Sequence, residues 1–171
     1  MKYSVFETKF GWVGLIYSDK GLSRLILSDQ SEKDVVARIK FYSKNEPLVH
    51  DDVCTWRHEI EDYFRAIPVN FSCKVDLPRA TKFQSLVWEQ TMLIPYGEVR
   101  SYQWIAMRLG NKFTSRAVGQ ALAKNPVPVV IPCHRVIYNN GKLGGFGGKS
   151  DISRIKCMLL NLEGVDPISS N

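Results

Sequence analysis

The chain has 171 residues, 44% hydrophobic and 23% charged; this is the composition of a folded globular protein, enough for one domain or two small ones, and not of a disordered or fibrous chain. No apolar run is long enough to span a bilayer, and the start, Met1-Lys2-Tyr3-Ser4-Val5-Phe6-Glu7, lacks the apolar stretch of a secretory signal, so the expected location is cytoplasmic, or nuclear in a eukaryote. The net charge of +6 is unevenly placed: residues 1–80 hold 12 basic and 12 acidic side chains, whereas residues 81–157 hold 11 basic and 3 acidic. A solubilising surface intersperses both signs, and a one-sided basic block is instead the electrostatic footprint of a nucleic-acid binder. The cysteines, Cys54, Cys73, Cys133 and Cys157, form no CxxC pair and no dense framework, which suits a reducing compartment and a free reactive thiol.

Residues 2–27 predict three strands, Tyr3–Thr8, Trp12–Tyr17 and Leu22–Leu27, joined by tight turns at Lys9-Phe10-Gly11 and Asp19-Lys20-Gly21 as an antiparallel meander. Ser31 caps a helix with acids in its first turn and an apolar face of Val35, Val36, Ile39 and Phe41 or Tyr42. A second helix is expected from Asp51 or Asp52 to about Ala66, with Val53, Trp56, Ile60, Tyr63 and Phe64 at core spacing. That helix would stack His50, Cys54 and His58 on one side, with Cys73 as a fourth zinc-type ligand. The spacing matches no known finger and the core stripe already explains the helix, so no metal is expected. Val69–Val75 is expected as a short strand and the stretch after it as an interdomain linker, giving domains 1–77 and 78–171.

Thr81 caps a helix over Lys82–Leu93 with Phe83, Leu86, Val87 and Thr91 inward, and Pro95-Tyr96-Gly97-Glu98 forms a turn. Ser101 to Lys124 has the pattern of a helix-turn-helix. Ser101 caps a first helix with Trp104, Ile105 and Leu109 inside; Thr114 or Ser115 caps a second, Arg116–Lys124, with Val118 and Leu122 toward the core. The rest of the second helix is small: Ala117, Gly119, Ala121 and Ala123. Such a helix lies close to another surface, either a nucleic-acid groove or a neighbouring helix of its own domain.

Val127 to Ile131 is an apolar run framed by Pro126, Pro128 and Pro132. Proline forbids a helix and cannot donate to a sheet ladder, so a buried, irregular, extended strut is expected. It delivers Cys133, His134 and Arg135. A thiol becomes a strong nucleophile as thiolate, and a neighbouring imidazole or cation favours that form. A buried structural cysteine is the alternative; the rigid frame and the flanking charge favour the nucleophile. Asn139-Asn140-Gly141 marks a hairpin turn, and Gly144-Gly145-Phe146-Gly147-Gly148 a loop passing close to a flat ligand, with no phosphate-loop signature. Ser150 or Asp151 caps a last helix with Ile152, Ile155, Leu159 and Leu162 on one face, Glu163 at its end and Gly164 terminating it.

Pro132-Cys133-His134-Arg135-Val136, preceded by Asn125-Pro126-Val127-Pro128, resembles the active-site signature of the O6-alkylguanine-DNA alkyltransferases, the methylated-DNA–protein-cysteine methyltransferases. The likeness extends through Ile94-Pro95-Tyr96-Gly97-Glu98-Val99, Ser101-Tyr102-Gln103, Arg116-Ala117-Val118-Gly119 and Leu162-Glu163-Gly164. It covers residues 80–164; residues 1–75 carry no specific motif. The resemblance implies an α+β protein: an N-terminal antiparallel sheet with helices, ribonuclease H-like, and a mostly helical, winged-helix-like C-terminal domain containing the helix-turn-helix. It implies transfer of the alkyl group from O6-methylguanine, and from O4-methylthymine, in double-stranded DNA to Cys133. The thioether has no leaving group, so each molecule reacts once.

The family roles carry over onto matching positions. His134 is the base, acting through a bridging water, and Glu163 orients it and favours its charged form. Tyr102 pushes the flipped nucleotide and protonates the departing base, and Arg116 fills the vacated stack. Ser101, Ala117, Gly119, Gln120, Ala123, Lys124 and Arg135 are expected on the DNA, approached through the minor groove, and Asn125 at the joint between recognition helix and active-site strand. Val136, Leu143, Phe146, Gly147 and Gly148 are expected to line the base pocket. Relatives often carry Tyr-Ser-Gly where this chain has Phe146-Gly147-Gly148, which removes a hydroxyl contact to the base. No cofactor, no metal, no membrane and a monomeric state are implied. A cysteine hydrolase built on Cys133, His134 and Glu163, or a DNA protein that only binds lesions, are the competing classes; a hydrolase leaves the basic helix-turn-helix unexplained.

Overall fold

In the computed structural model, residues 1–28, 30–44, 46–51, 54–144 and 153–166 are described. The chain divides into two compact units, Met1–Pro78 and Arg79–Asn171. The architecture is mixed α+β.

The first unit is built on a sheet of order β3-β2-β1-β4. Strands β1 (Lys2–Thr8), β2 (Gly11–Ser18) and β3 (Gly21–Ser28) form the expected antiparallel meander. β4 (Val49–His50) adds a short parallel edge beside β1. Helix α1 (Glu32–Ser43), capped by the Ser31 hydroxyl accepting from the Asp34 N–H, lays Val35 and Ile39 on Ile16 and Ile26. Gly14 is required there, since a Cβ would stand 2.4 Å from Val35. Phe41 and Tyr42 are exposed instead of completing the apolar face; Arg24 lies 3.8 Å over the Tyr42 ring and gives it a partner outside the core.

Helix α2 is shorter than its apolar stripe predicts, Arg57–Phe64. Trp56 stands at its start and packs edge-on against Tyr17 at 5.4 Å. His50 therefore lies on β4, Cys54 precedes the helix, and the His58 side chain is 87% exposed, so these residues do not stack on one face. Among the described residues no group of three His, Cys, Asp or Glu side chains could hold a metal ion. Val69–Val75 does not form a strand: only Val75 bridges Leu22, with Leu22 N–H donating to Lys74 O and Asp76 N–H to Leu22 O. Pro68 and Pro78 bracket this stretch and limit its pairing.

In the second unit α3 spans Lys82–Met92, closed by a Thr81–Gln84 capping box. Its inward residues are Val87, Trp88 and Thr91; Leu86 is exposed. Trp88 wins the core position because its indole N–H reaches Ala121 O at 3.1 Å. β5 (Arg100–Ser101) leads into α4 (Tyr102–Arg108), capped by Ser101 accepting from Trp104 N–H. A 3₁₀ turn, Lys112–Thr114, joins it to α5 (Ser115–Ala123). Thr114 precedes α5 without capping it, because its hydroxyl donates back to Asn111 O. β6 (Val136–Ile137) pairs in parallel with β5, and α6 spans Ser153–Leu162. Gly164, at φ +77°, ends α6, with Val165 N–H donating to Leu160 O. The expected cap at Ser150 or Asp151, the apolar position Ile152, and the pocket positions Phe146, Gly147 and Gly148 lie outside the described residues. Among the described residues no helix is long and apolar enough to cross a membrane.

Candidate active site

The proline-framed run is a buried turn and not an extended strut. Ile131 N–H donates to Val127 O at 2.9 Å, and Val129 sits at φ +76°, where a β-branched residue is strained. Three prolines leave few donors, and a buried chain must still satisfy its carbonyls, so it closes on itself. Asn125 holds the loop: Oδ1 accepts from Val127 N–H, while Nδ2 donates to Ile131 O at 2.8 Å and to Cys133 Sγ at 3.1 Å. One amide thus ties the end of α5 to the thiol.

Cys133, His134 and Arg135 form a single 3₁₀ turn, and all three are buried. Glu163, at the end of α6, reaches into it. Its Oε1 lies 2.7 Å from His134 Nε2, and Arg135 Nε donates to Oε2 at 2.9 Å and Nη2 to Oε1 at 3.0 Å. Gly97 N–H donates to Oε2 at 3.1 Å. Gly97 adopts φ +75°, and a Cβ there would press to 3.2 Å on Glu163 O, so the Pro-Tyr-Gly turn is shaped to this carboxylate. Tyr96 O–H donates to Leu162 O, and Arg135 Nη1 to Ile94 O at 2.7 Å.

Arg135 was expected on DNA; it is 7% exposed and its guanidinium is committed to Glu163 and Ile94. Burial alone pushes the Glu163 carboxyl up, but His134 and Arg135 outweigh it and hold the group at about 2. Glu163 favours the charged form of His134, as expected, but it is not the largest influence on the imidazole. Burial lowers the imidazole pKa, and Arg135 and Lys156 disfavour its cation further, against the pull of Glu163. His134 is thus neutral, with Nε2–H on Glu163 and Nδ1 on the far side of the ring.

Burial pushes the Cys133 thiol up to about 11, opposed by the Asn125 hydrogen bond and by Lys156. Sequence reasoning missed Lys156. This lysine is 0% exposed, and its Nζ donates to Val136 O at 2.5 Å and to Leu143 O. The signal was present as a lysine on the apolar stripe between Ile155 and Leu159. Tyr102 is buried, lies 5.1 Å from the Tyr138 ring, and has its hydroxyl pushed up to about 12 by burial.

Beside these groups an open groove of about 530 Å³ is lined by Tyr102, Gln103, Ser115, Arg116, Gly119, Gln120, Ala123, Tyr138 and Asn139. Arg116, Gln120 and Lys124 are exposed along α5; Ala117, Gly119 and Ala123 are half-buried, and Val118, Ala121 and Leu122 face the core. Among the small residues of α5, Ala121 packs inward, while Gly119 and Ala123 line the groove. Ser101 is half-buried with its hydroxyl engaged as the α4 cap. Val136 is buried and Leu143 half-buried, both joined through Lys156.

Comparison with known proteins places this geometry. The 6-O-methylguanine DNA methyltransferase DNA-binding domain matches residues 82–165. A methylated-DNA–protein-cysteine methyltransferase of Methanosarcina acetivorans is 37% identical over 164 residues, covering 96% of this chain and 99% of the relative. The constitutive enzyme of Bacillus subtilis is 34% identical over 94% of each chain. The crystal structure of Mycobacterium tuberculosis OGT in complex with DNA superposes with a TM-score of 0.77 at 33% identity, covering 95% of this chain and 92% of that one. The chain belongs to the methylated-DNA–protein-cysteine methyltransferase family.

Proposed function

We propose that this protein repairs alkylated DNA by moving the alkyl group from O6 of guanine, and from O4 of thymine, to Cys133. The observation that carries this reading is the buried turn in which Asn125 holds the Cys133 sulfur beside a neutral His134 anchored on Glu163. The thiol proton leaves to His134, through Nδ1 and a water. The sulfur forms a bond to the alkyl carbon as the C–O6 bond breaks, and the electron pair moves into the base. Tyr102, whose raised pKa keeps it protonated at neutral pH, donates a proton to the departing base and is then reprotonated, so the thiol proton ends on guanine. The thioether has no leaving group, and one molecule performs one transfer.

The target atom is inside the duplex, so the nucleotide is turned out into a pocket of Val136, Leu143, Phe146, Gly147 and Gly148, while Arg116 takes its place in the stack. The α4–turn–α5 segment acts as a helix-turn-helix in a winged-helix-like unit, and its small residues admit the minor groove, contacted by Ser101, Ala117, Gly119, Gln120, Ala123 and Lys124. The first unit is ribonuclease H-like, and the protein works as a cytoplasmic, or nuclear, monomer on double-stranded DNA without cofactor. The test is to incubate the protein with duplex O6-methylguanine DNA and weigh the peptide containing residue 133. One added methyl, stoichiometric repair and loss of both in Cys133→Ala are expected. Turnover points to a hydrolase and absence of modification to a lesion-binding protein; either result removes the reading.

A further inference from the structure

The Tyr102 ring sits in a slot built from two glycines and a second tyrosine. Gly119 of α5 passes along one edge: a Cβ there would stand 3.7 Å from Cε1 and 3.8 Å from Cδ1. Gly144, at φ +69°, closes on the other edge, where a Cβ would stand 2.7 Å from the hydroxyl and 3.2 Å from Cε2. A glycine lets the backbone come close but offers no side chain to grip a ring. The grip comes from Tyr138, whose ring centroid lies 5.1 Å from that of Tyr102 at an interplanar angle of 47°, within the range of a favourable aromatic pair. A Cβ on Gly144 would also stand 3.1 Å from Tyr138 Cε2, so both rings and this glycine pack as one cluster. Tyr138 lines the groove and is 53% exposed, whereas Tyr102 beside it is 9% exposed. The hairpin that carries Tyr138 is itself fixed. Tyr138 N–H donates to Lys142 O at 2.8 Å and Gly141 N–H to Tyr138 O at 3.0 Å. The Asn139 amide donates to Gln103 Oε1, on the residue after Tyr102, and so ties the hairpin to α4.

We propose that Tyr138 is a positioning residue for Tyr102: its ring holds the phenol of the proton donor where it reaches the departing base. The inference rests on the repair reaction proposed above, with Tyr102 as donor. When the C–O6 bond breaks, the electron pair moves into the base, and the Tyr102 proton has to arrive there along a short, directed path. A proton donor acts at hydrogen-bond reach, about 2.6–3.2 Å, and a misplacement of about 1 Å can cost about a hundredfold in rate. The two glycines each meet only an edge of the ring and cannot hold it to that tolerance. Without the Tyr138 ring the phenol is free to swing into the groove. The hairpin keeps its backbone hydrogen bonds whatever side chain stands at 138. A tyrosine that served only to stabilise the hairpin would leave the proton transfer alone.

A double-mutant cycle separates the two roles, because it asks whether Tyr138 acts through the Tyr102 hydroxyl. Single-turnover methylation of Cys133 by duplex O6-methylguanine DNA, followed against protein concentration, gives a saturating rate and a half-saturating concentration for each variant. Tyr138→Ala should lower the saturating rate by about tenfold or more and change the half-saturating concentration by less than about twofold, since the loss falls on the transition state and not on DNA binding. Tyr138→Phe keeps the ring and should lose much less. In a Tyr102→Phe background, slow from the start, Tyr138→Ala should cost less than about twofold further, because the hydroxyl it positions is gone. An unchanged saturating rate in Tyr138→Ala, an equal loss in both backgrounds, an equal loss in Tyr138→Phe, or a Tyr102→Phe that keeps the wild-type rate overturns the proposal. Should Tyr138→Ala fail to fold, Tyr138→Leu, which fills space without a flat ring, takes its place in the same cycle with the same expected pattern. Failure of the wild-type protein to become methylated would instead refute the repair function; methylation of wild type with an additive cycle refutes the role of Tyr138 alone.

Discussion

Glu163→Gln removes one negative charge and almost no volume, and the structure says where the damage falls. Arg135 would remain buried, with Nη1 still on Ile94 O but no anion for Nε and Nη2. Removing one partner of a buried ion pair costs about 3–5 kcal/mol, because the other charge is left uncompensated. Linkage gives a similar figure: holding a carboxyl at about 2 instead of 4.5 corresponds to about 3 kcal/mol. The folded-state pKa is depressed, so this stability is fully present above pH 4.5 and is lost as pH falls toward 2. Urea unfolding at pH 7 should therefore show Glu163→Gln less stable by about 3–5 kcal/mol, a large share of a typical domain's 5–15 kcal/mol. The gap should narrow steadily from pH 4.5 to 2. In an Arg135→Met background the same substitution should cost less, since the orphaned cation is gone. A difference below about 1 kcal/mol at pH 7, or one independent of pH and of Arg135, would refute the view that Glu163 chiefly anchors this charge cluster.

Two further outcomes are expected. Asn125→Asp keeps the acceptor for Val127 N–H but replaces the donor to Cys133 with an anion, so the sulfur's apparent pKa should rise and repair at pH 7 should slow by about tenfold per pH unit; an unchanged pH profile for methylation of the sulfur by methyl iodide would show that the amide only braces the loop. Arg116→Lys keeps the charge on the exposed start of α5 but loses the planar guanidinium, so repair of duplex DNA should fall far more than repair of single strands or reaction with free O6-benzylguanine. Equal losses on all three substrates would mean damage to the active site instead of a lost stacking role.

The sequence by itself settled what local chemistry can settle. Aromatic and aliphatic runs between tight turns marked β1 to β3, and Ser31, Thr81 and Ser101 marked helix starts because a cap acts within four residues. The Pro-Cys-His-Arg-Val run pointed to the family and marked Cys133 as the candidate nucleophile. What it could not decide were questions of burial between distant segments. Phe83, Leu86 and Trp88 all stand on one helix, and only the Ala121 carbonyl makes Trp88 the inward one. Arg135 looks like a DNA cation until Glu163, 28 positions away, takes it inside. His134 looks like an imidazolium until desolvation and two neighbouring cations hold it neutral. Lys156 looks like one more surface charge on a basic block until α6 turns it beneath Tyr102 and onto the carbonyls of Val136 and Leu143. Charge is written in the sequence, but the dielectric around it and the partner it meets exist only once the chain has folded.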